Sequence, residues 1–478
     1  MKTKNIRTAF KRHLSSQVRA VPALVLILVL LSACTPQATE KSNSESPIST
    51  GSAAQNEEDT VTNCNPLRVL IDAECAVGVV GLNMNGIGDR LVSNIKLSGG
   101  EIGEVEFEYL PKEGEERAAA LTHMRTEVMT GKGPDLFICA CAKAQEETQP
   151  LFRYPNQLLN QKLFLPLDDY FASAQFTDFD KLLPIAMEAG RNEEGQQLVP
   201  LAFTLPITVF RKSEVQHEHS KIMTRAEQVA GDDIQKLSAA VNDPSSRFRS
   251  AGFRDLADYE KETLHFSEEE LLSYLVGYRS LASEQEGLNV PDYFSTDLTV
   301  DFVDSSDISV TYFGNEHHGG LRNSDAFTMV PLYSNEGGYT AYITSFAAIN
   351  RNTEKPGEAF LLLDYLLSPA GARSELYNIL VDFVGMPVHM DLGTEENPIA
   401  ATNGKKWCLS QENYEEYCDL RDNISAMRFS TPIEQHFVQA YWNINDSEYE
   451  RSHGQNASTP EKIVADAYRV MKMELAES

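Results

Sequence analysis

Short apolar runs and helix-spaced apolar stripes alternate along most of this chain, divided by Gly, Pro and polar clusters. Leu67-Arg68-Val69-Leu70-Ile71 follows Pro66 and predicts a buried first strand. Val105 to Leu110 alternates and stops at Pro111, which predicts a second strand. From Glu115 to Thr130, Ala118, Leu121, Met124, Val128 and Met129 recur at helical spacing, and Gly131 suits the residue after the helix. Gly133-Pro134 then forms a turn, and Asp135 leads into the apolar run Leu136 to Ala140, a third strand. Asp135 is placed to accept backbone N–H bonds. Further on, Ala359, Leu362, Leu363, Leu366 and Leu367 give a core-facing helix stripe over 358–367, ended by Ser368-Pro369. Strand, strand, helix, strand predicts an α/β protein with a parallel or mixed sheet covered by helices. Ligands of such sheets bind beyond the carboxyl ends of the strands.

The first 65 residues do not share this pattern. Lys2, Lys4, Arg7, Lys11, Arg12 and Arg19 form a basic head without an acid, followed by an apolar run from Val21 to Leu31. That order describes a secretory leader, and the run is short for a permanent span of about 20 residues. Leu31-Ser32-Ala33-Cys34 resembles a bacterial lipobox. The resemblance implies cleavage before Cys34 and a diacylglycerol on its thiol, which would anchor the protein at the outer face of the cytoplasmic membrane. Ten of the 31 residues from Thr35 to Asn65 are Ser or Thr. Such a segment buries too little apolar surface to offset its ordering entropy and reads as a tether, with a mean reach of roughly 30 Å.

Composition narrows the partners. The 478 residues are 42% hydrophobic and 23% charged, enough for two globular lobes. Against 41 Lys and Arg stand 70 Asp and Glu, a net charge of −29. Phosphate backbones are bound through basic residues, so a nucleic-acid partner is excluded; an acidic surface suits a soluble exported monomer.

Six cysteines follow Cys34: Cys64, Cys75, Cys139, Cys141, Cys408 and Cys418. Export permits disulfides, and the pairs Cys64/Cys75 and Cys408/Cys418 would each close a short loop, although six cysteines allow 15 connectivities. Cys139 and Cys141 are awkwardly spaced for a mutual bond and read as buried structural thiols. Catalytic signatures are missing: there is no Gly-X-Ser-X-Gly, no His-Glu-X-X-His and no phosphate loop. Asp168/Asp169 and Glu268-Glu269-Glu270 read as a charged turn and a helix start, since a glycosidase needs two carboxyls placed across a cleft. His217-Glu218-His219 and His317-His318 offer imidazoles for zinc or nickel but no third ligand at readable spacing, and read as solvated loop residues. No cofactor and no resident metal is expected.

Several segments carry a resemblance. Thr126 to Ile138 (TEVMTGKGPDLFI), Phe164 to Tyr170 (FLPLDDY), Gln197 to Glu214 (QLVPLAFTLPITVFRKSE), Tyr339 to Ala372, Gly385 to Asp391 (GMPVHMD) and Ser458 to Lys462 follow one another in the order of the extracellular solute-binding proteins of ABC transporters. The chain resembles most their carbohydrate-binding, maltose-binding-like branch. The resemblance implies a two-lobed periplasmic-binding-protein-like fold, each lobe a mixed sheet flanked by helices, with crossover strands at a hinge that closes on its ligand. It implies the boundaries 1–33 signal peptide, 34–65 lipidated Cys34 and tether, 66–205 and 341–425 lobe I, 206–340 and 426–478 lobe II. It also implies a non-enzymatic binding protein that hands a small solute, a sugar or oligosaccharide, to permease subunits. A peptide or metal chelate as cargo, or a surface glycan hydrolase, are the alternatives.

For the cleft, the resemblance implies contacts at Tyr312 and Phe313, which match an aromatic segment that stacks on sugar faces. It further implies Phe203 and Thr204 on the first crossover, Tyr342 and Thr344 on the second, and Tyr441 and Trp442 on a late helix. Two departures stand out: the acid that some relatives carry near Phe203 is missing, and Cys139-Ala140-Cys141 precedes the loop where the maltose branch often has a Trp. The second departure argues against maltose-type oligosaccharides.

Overall fold

The computed structural model describes residues 65–72, 86–111, 114–142, 149–211, 222–231, 235–236, 239, 250–285, 327–374, 377, 386–398, 400–402, 405–407 and 409–477. Its main elements in chain order are β1 (Leu67–Asp72), α1 (Ile87–Leu97), β2 (Val105–Tyr109), α2 (Gly114–Met129), β3 (Leu136–Ala140), α3 (Pro155–Gln161), β4 (Val199–Thr204) and β5 (Ile207–Arg211). There follow α4 (Glu268–Gln285), β6 (Phe327–Pro331), β7 (Thr340–Ile349), α5 (Pro356–Leu367), β8 (Met386–Pro387), α6 (Gln411–Asp422), β9 (Ala426–Phe429), α7 (Pro432–Ser452) and α8 (Pro460–Glu477).

The expected first three strands and the two helix stripes are all present. Helix α2 ends as Gly131 predicts: Gly131 takes φ 74°, and the amides of Gly131 and Lys132 donate to the carbonyls of Val128 and Glu127. That paired closure needs a left-handed residue, which glycine adopts without a Cβ penalty. Asp135 does receive a backbone amide, from Arg68 at 2.8 Å, and so ties the start of β3 to β1.

The sheet order is β8-β4-β7-β3-β1-β2, with β9 also paired to β7. β1 runs parallel to β2 and β3, while β7 is antiparallel to β3 and β4, so the sheet is mixed. Its strands carry apolar residues on both faces. Val69, Ile71, Leu136 and Ile138 face one core with α1 and α5. Leu70, Phe137 and Cys139 face the other, under α2 and α3. On that side Phe137 meets Phe152 and Phe164 edge-on at 5.6 and 5.8 Å, a geometry that adds to their burial. Gly88 of α1 lies against the Phe107 ring, where a Cβ would fall 2.3 Å from it.

A third core is helical. Phe253, Phe266, Tyr274, Tyr278, Phe437 and Tyr441 pack with Val464, Met471 and Leu475 between α4, α7 and α8. Beside it β5 and β6 form an antiparallel pair. Helix α6 holds β6 through Glu416, which accepts from the Met329 amide at 2.7 Å and from the Thr328 hydroxyl. Cys64 to Ser478 is one unit by its contacts. Among the described residues, no helix is long and apolar enough to cross a membrane.

Candidate functional site

β7 changes partners midway. Residues 340–343 pair in parallel with β9, and residues 345–349 pair antiparallel with β3. The register against β4 shifts between Ile343 and Phe346. This bulge flips the side-chain alternation, so that Ile343 and Phe346, three apart, face the same core. β3 and β9 therefore point their carboxyl ends at each other, and both chains fasten to the bulge: Cys141 N donates to Thr344 O at 2.7 Å, and Ser430 N to Ile343 O at 3.1 Å.

At this meeting of carboxyl ends, the Thr344 and Ser345 hydroxyls are buried and have no hydrogen-bond partner among the described residues. Buried polar groups are nearly always satisfied, so two adjacent exceptions need a cause. Residues 73–85 and 143–148, which follow β1 and β3 in the sequence, lie outside the described residues.

A buried ion pair stands on each side. Asp72, the last residue of β1 and level with Cys139, accepts from Arg117 Nη2 at 3.0 and 3.2 Å and from the Leu151 amide at 2.9 Å. Arg117 also donates to the carbonyls of Pro111 and Gln149. On the β9 side, Arg428 donates to Glu434 Oε1 at 3.3 Å, the carbonyls of Phe253 and Arg254 at 2.5 and 2.9 Å, Ser250 Oγ at 2.8 Å and Tyr342 OH at 3.2 Å. Its guanidinium lies 4.7 Å from the Tyr342 ring centroid, a cation–π placement strengthened by burial. Burial pushes the Tyr342 phenol up to about 12, against the pull of the Arg428 charge and the Ser250 hydrogen bond. Glu434 also closes the first turn of α7 in a reciprocal capping box with Thr431.

The expected contact residues fall in three places. Thr204, Tyr342 and Thr344 come together around the bulge, Tyr342 paired with Thr204, and Phe203 lies beside Ile343. The Phe203 ring is wholly enclosed in the core between β4 and its neighbours, and Tyr342 is enclosed under Arg428, so neither offers a ring face to an open cleft. Tyr441 and Trp442 sit in the helical core, 5.4 Å apart edge-on, with Tyr441 against Tyr278. Tyr312, Phe313, Cys34, Cys64, Cys75, Cys408, His217, His219, His317 and His318 lie outside the described residues. Cys418 is a half-buried thiol whose pKa burial raises. Cys139 and Cys141 are buried, as expected, and burial drives the Cys139 thiol well up, with Asp72 and Cys141 adding to the shift.

The acid clusters are structural. Asp168 accepts the Gln196 amide at 2.8 Å and pairs with Arg191. Glu270 closes a capping box with Ser267 at the start of α4. Asp72–Arg117 and Arg428–Glu434 were not found from sequence. A cation within the strand Ala426–Phe429, followed by Thr431-Pro432-Ile433-Glu434, was the available signal for the second pair.

No protein-family model matches the sequence. No curated protein aligns with it significantly. Solved structures do match in shape. An extracellular solute-binding protein of family 1 from Alicyclobacillus acidocaldarius superposes with a TM-score of 0.50 at 16% identity, over 86% of this chain and 100% of that one. The sugar-binding protein MalE from Xanthomonas citri superposes with a TM-score of 0.50 at 13% identity, over 86% of this chain and 98% of that one. The fold is that of the periplasmic-binding-protein-like solute-binding proteins, a mixed α/β architecture with a central mixed sheet flanked by helices.

Proposed function

We propose that this protein is a non-enzymatic solute-binding protein whose cargo, a sugar or oligosaccharide, seats where the carboxyl ends of β3 and β9 meet at Thr344. The observation that carries the reading is the pair of buried hydroxyls at that junction with no partner among the described residues. A polyhydroxylated ligand supplies both donors and acceptors to such groups. The shared fold supports the same reading, as does the export leader. In this reading Cys34 holds the protein outside the cytoplasmic membrane, the tether gives it reach, and permease subunits of an ABC importer receive the solute. Tyr312 and Phe313 then provide the stacking rings.

Calorimetric titration against a panel of sugars, oligosaccharides, peptides and metal chelates tests it. One saturable carbohydrate is expected, and saturable binding of a peptide or chelate alone would replace the cargo class. With that ligand, Tyr312→Ala/Phe313→Ala should weaken binding by about 2 kcal/mol or more and leave the unliganded melting temperature nearly unchanged.

A further inference from the structure

A groove of ≈ 350 Å³ lies between α2 and α3 and is closed at one end by the tip of α8. It shares no residue with the strand-end junction. Val128, Leu151 and Leu158 are buried beneath it, while Met129 is 64% exposed on its rim, a large apolar side chain left half in water. Two guanidinium groups border this apolar floor. Arg125 donates to the carbonyls of Leu151 and Pro150, each at 2.8 Å, and forms no ion pair among the described residues. Arg153 gives Nη2 to Glu474 at 2.6 Å, but its Nε is buried with no partner among the described residues.

Two like charges beside an apolar floor are an unusual arrangement in a chain with 70 acids and 41 bases. Burial lowers the Arg125 pKa from its usual value, and the Arg153 charge lowers it further. An anion placed between the two would relieve that repulsion and satisfy the buried N–H. The charge it must carry is limited, because Glu474 already engages Arg153 and Glu477 lines the rim. One negative charge fits and two would not.

We propose that this groove binds a small alkyl monocarboxylate, its carboxylate on Arg125 and the Arg153 Nε–H and its chain over Val128, Leu151 and Leu158. Head and tail are both needed, since an uncharged chain leaves the two guanidinium groups uncompensated and a chainless acid makes no use of the apolar floor.

Octanoate is the probe, titrated calorimetrically into the purified full chain, with octan-1-ol and acetate as controls. Saturable one-to-one binding is expected for octanoate, with both controls at least about tenfold weaker, the scale of one charge-assisted hydrogen bond. Arg125→Gln should lower octanoate affinity by about tenfold or more, and Arg125→Lys should restore most of it. Met129→Glu, which sets a competing carboxylate one helical turn from Arg125, should also weaken binding. Unsaturable uptake, equal binding of octan-1-ol, or equal binding of acetate would each overturn the proposal. If Arg125→Gln fails to fold, unchanged affinity in Met129→Glu overturns it as well.

Discussion

Asp72–Arg117 and Arg428–Glu434 use the same two chemical groups on either side of one bulge, yet they hold different parts of the molecule. The hydrogen-bond partners described for the first pair lie between Asp72 and Leu151. It closes β1 onto the chain that follows α2 and β3, and it acts within one end of the sheet. Arg428 instead reaches Tyr342 of β7, the chain at Ser250, Phe253 and Arg254, and the first turn of α7. It joins the sheet to the aromatic helical core in which Phe253 and Phe437 pack. In both cases the charges are nearly saturated with hydrogen bonds, the condition under which a buried pair is tolerated. The difference is reach: one pair shapes a sheet edge, the other couples two cores.

That contrast can be broken by removing one charge from each. Arg428→Met strands two carbonyls, two hydroxyls and part of Glu434, and should cost about 3–5 kcal/mol in urea unfolding. It should also split the calorimetric transition in two, because the helical core loses its tie to the sheet. Asp72→Asn keeps an acceptor for the Leu151 amide but removes the carboxylate from Arg117, and should cost about 2–3 kcal/mol with a single transition. Matching single transitions in both variants would show that Arg428 couples nothing beyond its own neighbourhood.

Much of the fold was legible because it is written locally. The runs Leu67 to Ile71 and Leu136 to Ala140, the stripe of α2 and its Gly131 stop all depend on neighbours within a few residues. The order of resembling segments extended that reading to a central mixed sheet flanked by helices. The site was legible only in part. Thr204, Tyr342 and Thr344 were expected on crossovers, and they do meet. A segment match gives position along the chain, however, and not the side on which a ring lies. Phe203 occupies a strand enclosed on both faces, so its ring goes to the core. The long-range ties were invisible for a different reason: Arg117 and Asp72 are 45 residues apart, and although Arg428 and Glu434 are close in sequence, Arg428 and Ser250 are 178 apart. No spacing rule links groups that meet only after the sheet has formed.

The smallest effect tests the junction between the two pairs, and it has the opposite sign. Thr344→Val removes a hydroxyl that is buried without a partner among the described residues and keeps the shape of the side chain. Elsewhere such a swap is destabilising, because a hydrogen bond is lost with the oxygen. Here no bond to the described residues is lost, and the desolvation cost of the orphan group disappears, so the variant should gain about 1 kcal/mol of stability. Binding should move the other way. If the hydroxyl waits for a ligand oxygen, its removal should weaken carbohydrate affinity by about 1 kcal/mol while Asp72→Asn, outside the junction, leaves more of it intact. Urea unfolding and titration of the same preparation read both quantities. A variant that is less stable than wild type would mean Thr344 already has a structural partner. Greater stability with unchanged affinity would place the cargo elsewhere along the sheet.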